Sequence, residues 1–166
     1  MKKILILFLL FPLTIHAQLT MRDVFLQMPD SLLPYLSQSN RLDLLDYFDA
    51  KMKPEVTNEL DGRTCLVSMS SDSLVLHMND NHDVTIYLLE ALEEIDSTYQ
   101  VIALVRKYRL STGEQETVLQ FFSHRWSLLL EPPRLSTQQM SLLPSNCNTF
   151  IRRDEEVMSK SPVIIN

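Results

Sequence analysis

Glycine is almost missing from this chain: Gly62 and Gly113 are the two in 166 residues. A phosphate-cradling loop or a dinucleotide-binding turn needs several glycines close together, so that backbone amides can approach the ligand. Both kinds of nucleotide site are excluded in their familiar forms. Cysteine is as scarce, with Cys65 and Cys147 alone. There is no CxxC pair, no HExxH and no serine framed as a nucleophile elbow, so the usual redox, zinc-protease and serine-hydrolase signatures are missing. Basic residues are outnumbered, fifteen lysines and arginines against twenty-one acids, for a formal net charge of −6. An acidic surface repels a phosphate backbone and anionic lipid, which argues against nucleic-acid and membrane-surface partners. No cofactor is implied.

What is present begins with an address. Lys2 and Lys3 precede an apolar run from Ile4 to Ile15, broken by Pro12 and Thr14, and small Ala17 stands before polar Gln18. That is the plan of a cleaved secretory signal peptide. The run falls short of the roughly 20 apolar residues that span a bilayer. The expectation is a signal peptide over residues 1–17, a core domain over 18–130, and a C-terminal segment over 131–166 packing on the same domain. The mature protein would be periplasmic or secreted, with no membrane span after cleavage. It would not be a lipoprotein, because no cysteine follows the run. Secretion permits a Cys65–Cys147 bridge, worth about 4 kcal/mol in the chain-entropy model. Cys65 in an apolar run suits a small buried residue equally well.

Hydrophobic spacing then predicts two helices. Thr20 is placed as an N-cap with Asp23 three residues on, and Met21, Val24, Phe25 and Met28 form one stripe before Pro29. After a proline-containing connector, a second helix is expected from Asn40. It carries Asp43 in its first turn, a buried stripe of Leu44, Leu45, Phe48 and Met52, and Lys51 and Lys53 at its end. Pro54 stops it.

Beyond Asp61-Gly62 the chain reads as strands. Thr64–Met69 and Leu74–Met78 flank a serine-rich turn, and Val84–Leu89 is a third run. LLEALEEI, which overlaps that run, also carries helical spacing. Residues 99–126 form the strongest signal, two β-rich runs joined by Ser111-Thr112-Gly113-Glu114. Val101, Ala103 and Val105 point one way while Ile102 and Leu104 point the other, and Leu119 and Phe121 alternate likewise with Val118 and Phe122. Both faces of that hairpin are apolar. Two helices can cover one. The other needs a second cover, either the C-terminal segment or another molecule. The fold class expected is α+β: two N-terminal helices packed on one face of an antiparallel meander of about five strands, with an irregular C-terminal segment.

Candidate chemistry is local. His77, Asp80, His82 and Asp83 put two imidazoles and two carboxylates within seven residues, a donor set that suits a divalent metal. Asn79, Asp80 and Asn81 are also ordinary turn residues, and the spacing matches no standard metal loop. His124 and Trp126 sit at the end of the aromatic run beside Phe121 and Phe122, as a binding platform would. Trp126 capping the core, with its indole N–H on a surface partner, is the simpler reading. Ser123 and His124 are adjacent on a strand and point to opposite faces, so they are not a nucleophile and its base. Arg106-Lys107-Tyr108-Arg109 is a basic patch that can pair across the sheet or receive an anion.

Met28-Pro29-Asp30-Ser31-Leu32-Leu33-Pro34 and Asn40-Arg41-Leu42-Asp43 give the N-terminal half a likeness to a known group. It resembles a domain-of-unknown-function family of secreted Bacteroidales proteins, and its helix–helix–meander layout is similar to β-lactamase-inhibitor-protein-like modules. The first resemblance implies a secreted origin and no particular chemistry. The function expected is a non-enzymatic binding or assembly module of the bacterial cell envelope. Its partner would be an envelope protein or a second copy, meeting the second sheet face. The alternatives are a small metal-dependent hydrolase using the His77–Asp83 cluster and a small-ligand carrier with a pocket between helices and sheet.

Overall fold

The computed structural model describes residues 19–145 and the backbone of Asn148–Thr149. The expected signal peptide, Cys147 and the apolar tail lie outside the described residues. Among those described, no helix is long and apolar enough to cross a membrane.

Helix α1 spans Met21–Gln27. Thr20 Oγ1 accepts from the Asp23 amide at 3.2 Å, and the Asp23 carboxylate accepts from the Thr20 amide at 3.2 Å, a reciprocal capping box. Helix α2 spans Gln38–Asp49, starting before Asn40 because Ser37 is its cap and accepts from the Asn40 amide. Asn40 instead donates through Nδ2 to the Thr57 carbonyl at 2.7 Å, tying the helix to the sheet. Leu44 and Leu45 are buried as expected, and Phe48 packs partly buried against the same core. Met52 is not. The helix ends at Asp49, Lys51 takes a left-handed φ of 56°, and Met52 points to solvent. Lys51 and Lys53 therefore lie past the helix rather than in its last turn.

Strands β1 (Glu55–Thr57), β2 (Arg63–Met69), β3 (Ser73–Asn79), β4 (His82–Ile95), β5 (Thr98–Arg109) and β6 (Gln115–Ser123) follow in sequence order as an antiparallel meander. Strand β7 (Asn148–Thr149) runs parallel beside Val118 and Leu119 of β6. LLEALEEI is extended, not helical. Leu88 faces Ile102 and Leu89 faces Val101, and these neighbours enter different cores, so a strand buried on both sides imitates helical spacing. Asp96 and Ser97 then turn the chain with φ of 53° and 68°, the two left-handed residues that a tight hairpin requires.

The sheet has a core on each face. On the first, Leu74, Leu76, Val84, Ile86, Ile102, Leu104 and Phe122 pack under Met21, Val24 and Phe25 of α1 and Leu44 and Leu45 of α2. On the second, Leu89, Val101, Ala103, Val105, Leu119 and Phe121 pack under Leu129, Leu135 and Leu143. That second cover is the chain's own continuation. It begins at Ser127, whose carbonyl accepts from the Ser123 amide, and is stitched down by Leu129 N–H to the Phe121 carbonyl and Leu92 N–H to the Arg134 carbonyl. A short helix α3, Thr137–Met140, is capped by Ser136. The class is α+β with an antiparallel sheet.

Candidate functional site

Only part of the His77–Asp83 cluster comes together. His77 and Asp83 are cross-strand partners on β3 and β4, and His77 Nδ1 lies 2.7 Å from Asp83 Oδ1. The other Asp83 oxygen takes Arg109, which also donates to the Asp80 carbonyl at 2.6 Å. The Asp80 side chain stays exposed at the turn. His82 points to the opposite face and stacks on Tyr108, centroids 4.5 Å apart and rings 15° from parallel. Its Nε2 is buried without a hydrogen-bond partner among the described residues. Burial, helped by the Arg106 charge, holds its pKa below the ordinary value near 6.5. Among the described residues no group of three or more His, Cys, Asp or Glu is placed to hold a metal ion.

The aromatic candidates lie inside. Phe122 and Trp126 belong to the helix-side core, with ring centroids 5.4 Å apart, and Phe121 belongs to the other core. The strand ends at Ser123, and Trp126 sits in the following turn with a left-handed φ of 63°. Its indole N–H donates to the Val24 carbonyl at 3.0 Å, so the partner expected at the surface is a buried group of α1. Val24 is among the last four residues of α1, whose carbonyls need outside donors. His124 is half-buried, accepting at Nε2 from Arg125 Nε at 3.2 Å, with Asp96 3.7 Å from Nδ1. These residues form core and turn, not an exposed platform. The two arginines of the basic patch are spent internally, Arg106 donating to Gln120 and, at 3.1 Å, to the Leu32 carbonyl while Arg109 holds Asp83, and Lys107 stays exposed.

The feature best shaped to hold a ligand is a cleft of about 550 Å³ between β6 and the C-terminal cover. Leu119 and Phe121 form its sheet side, and Pro132, Pro133, Met140 and Leu143 form its cover side. Among the described residues no charged side chain lines it. Two clefts on other parts of the surface carry charge: one beside the start of α1 includes Arg22, and one beyond the end of α2 includes Asp49 and Lys51. Proline flanks and a Met/Leu-rich segment were visible in the sequence. What they would fold onto was not.

Over residues 13–158 the chain matches the model of a family described as "Protein of unknown function (DUF3256)". The chain belongs to the DUF3256 family. The family match is not confined to the N-terminal half but runs through most of this DUF3256 protein. No curated protein matches it. Among solved structures it is similar to "a domain of an uncharacterized protein from Porphyromonas gingivalis W83", with a TM-score of 0.51 and 19% identity. That match covers 65% of this chain and 52% of the other, so the DUF3256 chain spans about half the length of its structural relative. At this identity the likeness carries the fold alone.

Proposed function

We propose that this protein is a binding module of the bacterial cell envelope, and that its site is the cleft between β6 and the C-terminal cover. One observation carries the reading: a concavity of about 550 Å³ lined by apolar side chains and two consecutive prolines, with no charged side chain among the described residues. Small-molecule sites commonly fall between about 300 and 1,000 Å³ with such linings. The occupant this lining suits is an apolar molecule, an acyl chain or an aromatic ring system, whose polar end stays at the mouth. Ser141 and Ser145, both exposed, are among the lining residues, and the Ser141 hydroxyl donates to the Gln138 carbonyl at 2.7 Å. The second sheet face, where a partner was expected to dock, meets the chain's own cover at this end. The envelope assignment rests on the N-terminal sequence pattern.

The test is titration of the full mature chain with N-phenyl-1-naphthylamine, a neutral apolar fluorophore. Saturable enhancement is expected. Met140 is 55% exposed at the rim, so Met140→Asp places a carboxylate at the cleft without opening either core. It should weaken binding by about tenfold, since an apolar probe seated at the rim strips water from the carboxylate without offering it a partner. Leu60→Asp, exposed on a remote loop, should change nothing. Non-saturable enhancement, or equal binding by both variants, would overturn the proposal.

A further inference from the structure

The register of the meander assembles a row of polar side chains that no sequence spacing reveals. Glu55 pairs with Cys65, Cys65 with His77, His77 with Asp83, Asp83 with Lys107, and Lys107 with Thr117. Directly paired residues on antiparallel strands point to the same face, with Cβ atoms about 4.5–5.5 Å apart. The row lies on the second face, one step beyond the paired Val105 and Leu119, where the buried cluster under the cover ends. Cys65, His77 and Asp83 are half-buried there, and Lys107 is exposed.

Three consecutive members are ordered as a nucleophile, a base and an orienting acid. Strand β3 lies between β2 and β4, so His77 stands with Cys65 on one side and Asp83 on the other. The Asp83 carboxylate holds His77 Nδ1 at 2.7 Å, and Arg109 fixes the other carboxylate oxygen. With Nδ1 engaged, Nε2 is the nitrogen left to move a proton, and the histidine side chain is 39% exposed. Among the described residues Cys65 is bonded to no other cysteine, and Cys147 lies outside them. No hydrogen bond joins Sγ to the imidazole among the described residues, and such contacts commonly tighten only when substrate is bound. An imidazole oriented by a carboxylate beside a thiol is the arrangement that makes cysteine a nucleophile on many unrelated folds.

We infer that Cys65, His77 and Asp83 form an acyl-transfer site for a small activated ester or thioester, an activity the binding reading does not contain. The Cys65 proton passes to His77 Nε2 as sulfur bonds the acyl carbonyl carbon. The bond from that carbon to the leaving oxygen or sulfur breaks, and the leaving group takes the proton from His77. Water reverses the sequence: it gives a proton to His77 as its oxygen bonds the carbonyl carbon, the C–S bond breaks, and sulfur recovers the proton. Asp83 is a positioning residue, acting through His77.

The probe is 4-nitrophenyl acetate with the full mature chain at pH 7, read as nitrophenolate release and as acetylation of the Cys65 peptide by mass spectrometry. A burst is expected, with Cys65 acetylated at least about tenfold faster than N-acetylcysteine under the same conditions. Cys65→Ser should abolish the acetylation at that position. His77→Gln should slow Cys65 acetylation by about 100-fold, the lower end of what a positioned base contributes. Asp83→Asn should slow it less, and Asp83→Glu should recover part of the loss, which a purely structural role would not predict. Cys65 acetylating no faster than N-acetylcysteine would overturn the inference, and so would an unchanged rate in folded His77→Gln. The first comparison uses the unaltered chain and decides the matter even if a variant fails to fold.

Discussion

At the scale of single residues, His82 and Trp126 show how a polar group behaves when the fold takes it inside. Trp126 finds a carbonyl, while His82 stacks on Tyr108 and its buried Nε2 has no hydrogen-bond partner among the described residues. Burial first, and the Arg106 charge second, disfavour its protonated form. The sign follows directly. In the unfolded chain the imidazole takes a proton near its ordinary pKa of 6.5, whereas in the folded protein it does so only at lower pH. Between those two values the unfolded state binds more protons, so stability is full above about 6.5 and falls as pH drops toward the folded pKa. His82→Phe keeps a ring against Tyr108 and removes the titration. Urea unfolding at pH 7 and pH 5 should show a larger acid loss in the unaltered protein than in this variant. Equal losses would mean that other groups carry the acid sensitivity. In sequence His82 looked like one of four metal-ligand candidates. Its isolation from Asp83 follows from strand alternation, which sends adjacent side chains to opposite faces.

At the scale of elements, the same alternation explains which segments were legible. The capping box of α1 and the β5–β6 hairpin depend on local residues, and both stand where the sequence puts them, except that β6 stops at Ser123 and leaves Trp126 in the next turn. The far half of β4 was ambiguous because burial on both faces erases the alternation that marks a strand. The start of α2 is ambiguous in sequence because Ser37 and Asn40 are both acceptable caps; in the fold Ser37 caps, and the Asn40 side chain reaches Thr57 on β1. The Cys65–His77–Asp83 row depends on register alone, which is set across bulges between Leu66 and Ser68 and between His77 and Asn79. Phe121 and Phe122 test the two-cover arrangement. Adjacent on β6, they belong to different cores, and each is covered by the protein's own chain. Phe121→Ala and Phe122→Ala should each cost about 3–5 kcal/mol, the usual loss for a buried phenylalanine. Neither should change the oligomeric state. A shift in sedimentation for Phe121→Ala in the folded protein would instead point to a second molecule on that face.

At the scale of the whole molecule, three layers share one sheet but are held with unequal security. Strands β4 and β5 sit mid-sheet and are paired on both edges, and Ile102 and Leu104 enter one core while Val101, Ala103 and Val105 enter the other. Opening that region disrupts both cores at once. The C-terminal cover has less to hold it. Among the described residues, its backbone ties to the sheet run through Leu129 to Phe121, Leu92 to Arg134 and Ser123 to Ser127, with bridges at Ala91–Leu135 and Phe122–Leu128 and the short β7 pairing on β6. Its helix is a single turn, and Leu130, Met140 and Leu142 remain exposed. Regions with few buried contacts and sparse backbone bonding open at lower free energy than the global transition. Native-state hydrogen exchange should therefore find the amides of Leu92 and Leu129 less protected than those of Ile102, Ala103 and Leu104. Saturating N-phenyl-1-naphthylamine should slow the first set and leave the second unchanged, because a ligand seated between cover and sheet stabilises only the state in which the two are closed. Equal protection across both sets would mean that cover and sheet open as one unit. In that case the cleft would be a fixed concavity, with ligand entry confined to its open mouth.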